Sequence, residues 1–204
     1  MAGGEGMDKA MKRPALTFPK SVAEYVCRAY SEADSILEYG SGGSTVLASE
    51  MDGKRIYAVE SDKVWASNLK DYIRSSDATR SIPEIIYADV GPTTKWGHPE
   101  NTTSSKKFHL YPLSIWNRSD LVAPDVALID GRFRVACFFA CMLSTQKNMT
   151  ILFDDYTERP RYWIVEKFFK PELQVGRMAV FQIERRALAA DSLLSVIGSF
   201  SDPS

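Results

Sequence analysis

Short apolar runs alternate with amphipathic stretches along most of this chain, and that rhythm narrows its possible folds more than any other feature. From Phe18 to Ala33, Val22, Tyr25, Val26 and Ala29 recur at three- and four-residue spacing, which predicts a helix. Ser35–Tyr39 follows as a first strand and Ser44–Met51 as a short helix, then Arg55–Glu60 as a second strand, Ser61–Ser75 as a helix and Glu84–Val90 as a third strand. Asp125–Ile129 and Met149–Phe153 make strands four and five, with a helix over Arg132–Thr145 between them and another from about Glu158 to Phe169 after them. Glu172–Val175 and Met178–Glu184, around Gly176, read as a closing antiparallel pair. Strands that alternate with helices call for a parallel sheet covered on both faces, because right-handed crossovers place the helices there. The expected fold is α/β: a doubly wound, mostly parallel seven-stranded sheet with a terminal antiparallel strand pair.

A length of 204 residues favours one domain. The chain divides into a flexible N-terminus over 1–17, a single domain over 18–186 and a C-terminal tail over 187–204, weakly patterned and frayed from Gly198. Within the domain, Gly91–Pro124 is an insertion far longer than the usual connection of ~2–6 residues. It carries Trp96, Phe108, Tyr111 and Trp116, so it reads either as a lid over a pocket or as a satellite core packed on the sheet. An aromatic content of 11% excludes a disordered chain, and a net charge of -1 gives no overall field toward nucleic acid or an anionic membrane. Met1–Met7 is Gly-rich without an apolar core, and no segment approaches the ~18 apolar residues of a membrane span, so a cytoplasmic location is expected. Cys27, Cys137 and Cys141 are too few for a disulfide framework; the last two read as buried small hydrophobes.

In an open parallel sheet, ligands bind beyond the carboxyl ends of the strands where strand order reverses. That edge is loaded here: Glu38-Tyr39-Gly40-Ser41-Gly42-Gly43-Ser44-Thr45 follows strand one, and Glu60 ends strand two, 20 residues after Gly40. This is the distance of a carboxylate that accepts from a ribose diol, so the pair predicts an adenosine-containing cofactor. The dinucleotide fingerprint is incomplete, because the position three after Gly42 is Thr45. The pattern E-x-G-x-G-G instead resembles the first motif of class I S-adenosylmethionine-dependent methyltransferases, and the resemblance runs over about Ser35–Glu184. It implies a Rossmann-like sheet, S-adenosyl-L-methionine as cofactor, Glu60 on the ribose, Asp89 near the adenine, and Asp130-Gly131 facing the methyl donor. The implied cofactor set is Glu38, Gly40, Ser41, Gly42, Gly43, Ser44, Glu60, Ser61, Asp89, Asp130 and Gly131. ILEYGSGGST, VGPTTKWGHP and ALIDGRFRVAC are more narrowly similar to a poorly characterised bacterial branch of methyltransferases. Ser44 replaces that family's third motif glycine, with Gly43 beside it to supply the freedom.

Asp130 after strand four and Asp154-Asp155 after strand five should converge, because neighbouring parallel strands end together. Three carboxylates suit Mg2+ as a second ligand. The arrangement is similar to catechol-type O-methyltransferases, whose Asp after strand four and Asp-Asn pair after strand five bind magnesium; Asp155 stands for Asn here. Their general-base Lys has no counterpart, since that position is Phe133 with Arg134 beside it, and a guanidinium does not give up its proton. Asp130 is the candidate catalytic residue. Without a metal, it would cap the following helix, and Asp154 and Asp155 would pair with Arg159 or Arg161. Arg132 and Arg134 are candidates for gripping an acidic substrate, with Trp96, His98, Asp154 and Asp155 as further substrate contacts. His98 and His109 are the chain's imidazoles, and no spacing demands either. The expected function is methyl transfer from S-adenosylmethionine to a small-molecule acceptor, with a homodimer, no nucleic acid and no membrane as the partner expectations. The alternatives are an adenosine-cofactor-binding regulatory module without turnover and a nucleotide-dependent oxidoreductase.

Overall fold

A computed structural model describes residues 12–204, so residues 1–11 of the expected flexible N-terminus lie outside the described residues. Seven strands form one sheet in the order β3-β2-β1-β4-β5-β7-β6, built from β1 (Ser35–Tyr39), β2 (Arg55–Glu60), β3 (Glu84–Tyr87), β4 (Val126–Ile129), β5 (Met149–Phe153), β6 (Leu173–Val175) and β7 (Met178–Ile183). β1 pairs in parallel with β2 on one side and β4 on the other, so Ile36 stands between Ile56 and Val126. The strand order reverses at that point. β7 enters antiparallel to both β5 and β6, as the sequence pattern requires.

The central strands are largely apolar because both of their faces are covered, with Glu38 and Glu60 as buried exceptions near the carboxyl ends of β1 and β2. Their period of two divides the core: Leu37, Tyr39, Ala127, Ile129, Ile151 and Phe153 face one cluster, while Ile36, Val126, Leu128 and Leu152 face the other. α1 (Lys20–Glu32) buries Val22, Val26 and Tyr30 on the second face, which α2 (Gly43–Ser49) and α3 (Lys63–Ser75) also cover. α5 (Arg134–Ser144) fills the first face with Phe138, Phe139, Cys137 and Cys141, both cysteines being free and fully buried.

The Gly91–Pro124 insertion has two fates. Its later part folds onto the sheet through α4 (Leu110–Leu113): Phe108, Tyr111 and Ile115 join the main core, and the Tyr39 hydroxyl donates to the Pro112 carbonyl at 2.7 Å and accepts from Trp116 Nε1 at 2.8 Å. Its earlier part leaves Trp96 73% exposed. Two expectations are corrected. Pro160–Lys167 is a 3-10 helix rather than an α-helix, and its Tyr162 and Val165, three apart, are both fully buried. The C-terminal tail is not frayed from Gly198: α6 (Leu193–Ser199) anchors it through buried Val196, Phe200 packs on the core, and the Phe133 N–H donates to the Pro203 carbonyl at 3.4 Å. No helix among the described residues is long and apolar enough to cross a membrane.

Candidate active site

The turn after β1 is shaped by what it must pack against. Gly40 has φ +99°, and a Cβ there would approach Gly131 Cα to 2.8 Å, so the turns after β1 and β4 touch backbone to backbone. Thr45 locks the turn from inside: its hydroxyl accepts the Gly42 N–H at 2.9 Å and donates to Glu38. Glu38 is fully buried and also accepts from the Tyr30 hydroxyl at 2.6 Å; burial pushes its carboxyl up, against the pull of the Thr45 and Tyr30 hydroxyls. It braces the turn from below. At Gly43, a Cβ would collide with the Ala15 carbonyl, because residues 13–18 cross the turn there, tied down by Arg13 donating to Glu50 at 2.9 Å.

Glu60 joins this turn to the next. Its Oε1 accepts the N–H groups of Ser61 and Asp62 at 2.8 and 2.9 Å, and its Oε2 accepts the Ser41 hydroxyl at 2.8 Å. Asp62 caps α3 by accepting from Val64 and Trp65, and Trp65 Nε1 donates to the Ser41 carbonyl at 2.8 Å. The Ser61 hydroxyl donates to the Gly97 carbonyl at 2.8 Å, bringing the exposed Trp96 turn to the same place.

Asp130, Asp154 and Asp155 converge as expected, each offering an oxygen within 4.8 Å of the others. The cations between them are arginines. Arg177 grips Asp154 with Nε at 3.0 Å and Nη2 at 2.6 Å and approaches Asp155 Oδ1 at 3.2 Å. Arg159 meets Asp155 Oδ2 at 2.8 Å. Arg134 is buried and reaches Asp130 Oδ1 and Asp155 Oδ2, each at 3.3 Å, while donating to the carbonyls of Gly131 and Asp154. Both oxygens of Asp154, both of Asp155 and Oδ1 of Asp130 therefore face guanidinium groups. Magnesium needs several of these oxygens in an octahedron, so the cluster does not fit it. Nor does Asp130 cap α5: the residue before that helix is Phe133, which makes no side-chain cap, and Asp130 turns to Arg134 instead. Burial pushes the Asp130 carboxyl up to about 7, with Asp154 and Asp155 adding to the rise and Arg134 opposing it.

These parts enclose a cavity of about 670 Å³ beyond the carboxyl ends of β1, β2, β4 and β5. Of the residues singled out from sequence, Gly40 to Ser44, Glu60, Ser61, Trp96, Asp130, Gly131, Arg132, Arg134 and Asp155 line it. Glu38 and Asp154 stand behind the lining, fully buried. Asp89 is directed elsewhere: Lys107 pairs with it at 2.6 Å and holds its carboxyl below the usual range. His98 is outside the lining too, its Nδ1 2.8 Å from the Pro99 carbonyl, and His109 is exposed. Sequence reasoning missed Pro14 to Phe18, Trp65 and Arg177 as lining residues. The N-terminal stretch carries no pattern to flag it, whereas Tyr111, which also lines the cavity, stands in the aromatic-rich insertion.

The non-glycine residues with positive φ among the described residues are Trp96 (+63°), Phe133 (+52°) and Asp155 (+55°). Two line the cavity and the third follows Arg132, so the uncommon backbone is gathered where a ligand would bind.

The chain is 42% identical to a methyltransferase-like protein of Silicibacter pomeroyi, covering 94% of this chain and 99% of that one, with a TM-score of 0.90. At 14% identity it matches an O-methyltransferase of Bacillus cereus in complex with S-adenosylhomocysteine, over 84% of each chain, with a TM-score of 0.52. At 13% identity it matches an S-adenosylmethionine-dependent O-methyltransferase of Thermotoga maritima, over 87% of this chain and 70% of that one, with a TM-score of 0.55. The last two likenesses are of fold. No protein-family model and no curated protein matches the chain.

Proposed function

The chain belongs to the class I methyltransferases, in the branch of its Silicibacter pomeroyi relative, and from that premise we propose that it transfers a methyl group from S-adenosylmethionine to a small-molecule acceptor in the cavity beyond β1 and β4. The observation that carries this reading is that the Gly40–Ser44 turn and Glu60 share the walls of one cavity at the point where strand order reverses. The volume suits a nucleoside-sized ligand plus an acceptor. Gly42 supports the fit: a Cβ there would find Trp65 at 3.9 Å and nothing nearer, so the turn is open on its cavity side. Glu60 Oε2, bonded to the Ser41 hydroxyl, offers the acceptor oxygen that a ribose diol would take over.

The donor supplies a methyl group on a sulfonium, already a good electrophile, and the chain's own work is to align the acceptor and keep water out. Asp130, with its carboxyl near neutrality, is suited to take a proton from an acceptor hydroxyl at neutral pH. Arg134, Arg159 and Arg177 hold the neighbouring carboxylates in place. Enclosure by Trp96, Tyr111 and residues 14–18 favours a small acceptor.

Calorimetry with S-adenosylhomocysteine and NAD tests the reading. Wild-type protein should bind the first and not the second, and Glu60→Ala, still folded, should bind it about 1.5–3 kcal/mol more weakly, as expected for loss of a charged hydrogen-bond acceptor. Binding of NAD alone would replace the methyltransferase reading with an oxidoreductase. Unchanged affinity in the variant would remove Glu60 from the ribose site.

A further inference from the structure

Four arginines line the cavity, and three of them are committed: Arg134, Arg159 and Arg177 are ion-paired with the aspartates at the ends of β4 and β5. Arg132 is different. It has no ion-pair partner among the described residues, and its Nε is buried without a hydrogen-bond partner. Buried polar atoms are nearly always satisfied, so a lining residue whose guanidinium makes no hydrogen bond or ion pair among the described residues keeps its donors for a partner that arrives with a ligand.

We propose that Arg132 is a carboxylate-binding residue of the cavity. The inference rests on the methyltransferase reading and adds the chemistry of what is gripped. A guanidinium presents a planar fork of donors that stays charged, and a carboxylate is the planar anion that takes two of them at once. The fold's own carboxylates are already engaged: Asp130, two residues earlier, turns to Arg134 at 3.3 Å, so the side chain of Arg132 is left to face the cavity. Its backbone is fixed on both sides. The Arg132 N–H donates to the Tyr111 hydroxyl at 3.3 Å, the Arg132 carbonyl accepts from Cys137 Sγ at 3.4 Å, and the next residue, Phe133, is fully buried in the left-handed region. The carboxylate has two chemical sources here, the α-carboxylate of the donor and one carried by the acceptor.

Calorimetry on the full chain separates them, with Arg132→Gln as the variant; the substitution breaks no ion pair among the described residues. S-adenosylhomocysteine and 5′-methylthioadenosine share the nucleoside and thioether, and only the first has a carboxylate. If the donor's carboxylate is bound, the variant loses about tenfold or more in affinity for S-adenosylhomocysteine and none for 5′-methylthioadenosine. If the acceptor's is bound, both affinities hold. Benzoate then raises the melting temperature of the wild-type protein saturated with S-adenosylhomocysteine, benzyl alcohol does not, and the variant has lost the benzoate effect. A variant that matches wild type with all of these probes overturns the proposal. Should wild type bind neither nucleoside, the methyltransferase reading fails, and benzoate titrated into wild type and variant without nucleoside still decides whether Arg132 binds a carboxylate.

Discussion

Asp130 shows how strongly one side chain's chemistry depends on neighbours that the sequence does not place beside it. An aspartate at the end of a strand reads as a helix cap or a metal ligand, and either role would keep it ionised. Here burial and two adjacent carboxylates push it up to about 7, and Arg134 recovers part of the cost. The folded chain thus holds this proton more tightly than the unfolded chain, whose carboxyl titrates near ~4. The stability it contributes is present in full below the unfolded value and is lost as pH rises through the folded one. Wild type should therefore lose stability relative to Asp130→Asn between about pH 5 and pH 8. The loss should be about 1–2 kcal/mol, reduced from the full shift because the Asp130 side chain is 31% exposed and solvent screens its charge. Urea denaturation of both proteins at the two pH values measures it, and parallel curves would show that Asp130 is ionised throughout.

Among the elements, the strands were legible because each of their faces is covered, which writes a largely apolar run into the sequence; Ser35–Tyr39, Arg55–Glu60 and Met149–Phe153 match the structure to the residue. The C-terminal helix was not. Leu194 and Ile197 are exposed while Val196 is buried, so Leu193–Ser199 carries no clean amphipathic stripe. Nor was the 3-10 segment, whose buried Tyr162 and Val165 fit a period of three as well as 3.6. The carboxylate trio was foreseen from strand order, but Arg177 comes from the hairpin between β6 and β7, and no local spacing links it to Asp154. The insertion joins two kinds of surface that composition cannot separate, since Phe108 and Trp96 are equally aromatic. Phe108→Ala should cost about 3–5 kcal/mol by emptying a core site against Phe133. Trp96→Ala, at a residue 73% exposed, should change stability by less than about 1 kcal/mol while weakening S-adenosylhomocysteine binding. Denaturation and calorimetry on the two variants test this division. Equal stability losses would make the whole insertion core, and undiminished binding in Trp96→Ala would take its exposed turn out of the site.

The molecule as a whole assembles its cavity from distant stretches of chain: residues 14–18, the turns after β1 and β2, the Trp96 turn, Tyr111, and the ends of β4 and β5. None of these stretches forms a pocket alone, which is why the N-terminal wall escaped the sequence reading while the Gly-rich turn did not. A ligand there touches both halves of the sheet, so its binding should stabilise the fold as a unit, by about 2.7 kcal/mol at a hundred times its dissociation constant. Residues 13–18 provide a way to test this. The first helix of the sheet's cover begins after them at Lys20, and the Arg13–Glu50 pair is a surface contact worth at most about 1 kcal/mol. Removing residues 1–17 should leave the ligand-free melting temperature within a few degrees of wild type. It should also open the cavity over Gly43, reduce S-adenosylhomocysteine affinity and shrink the ligand-induced rise in melting temperature. Scanning calorimetry of both proteins with and without S-adenosylhomocysteine reads all three quantities. An undiminished rise in the shortened chain would mean that the segment covers the turn without contributing to binding, and a collapse of the ligand-free transition would make it part of the fold's core.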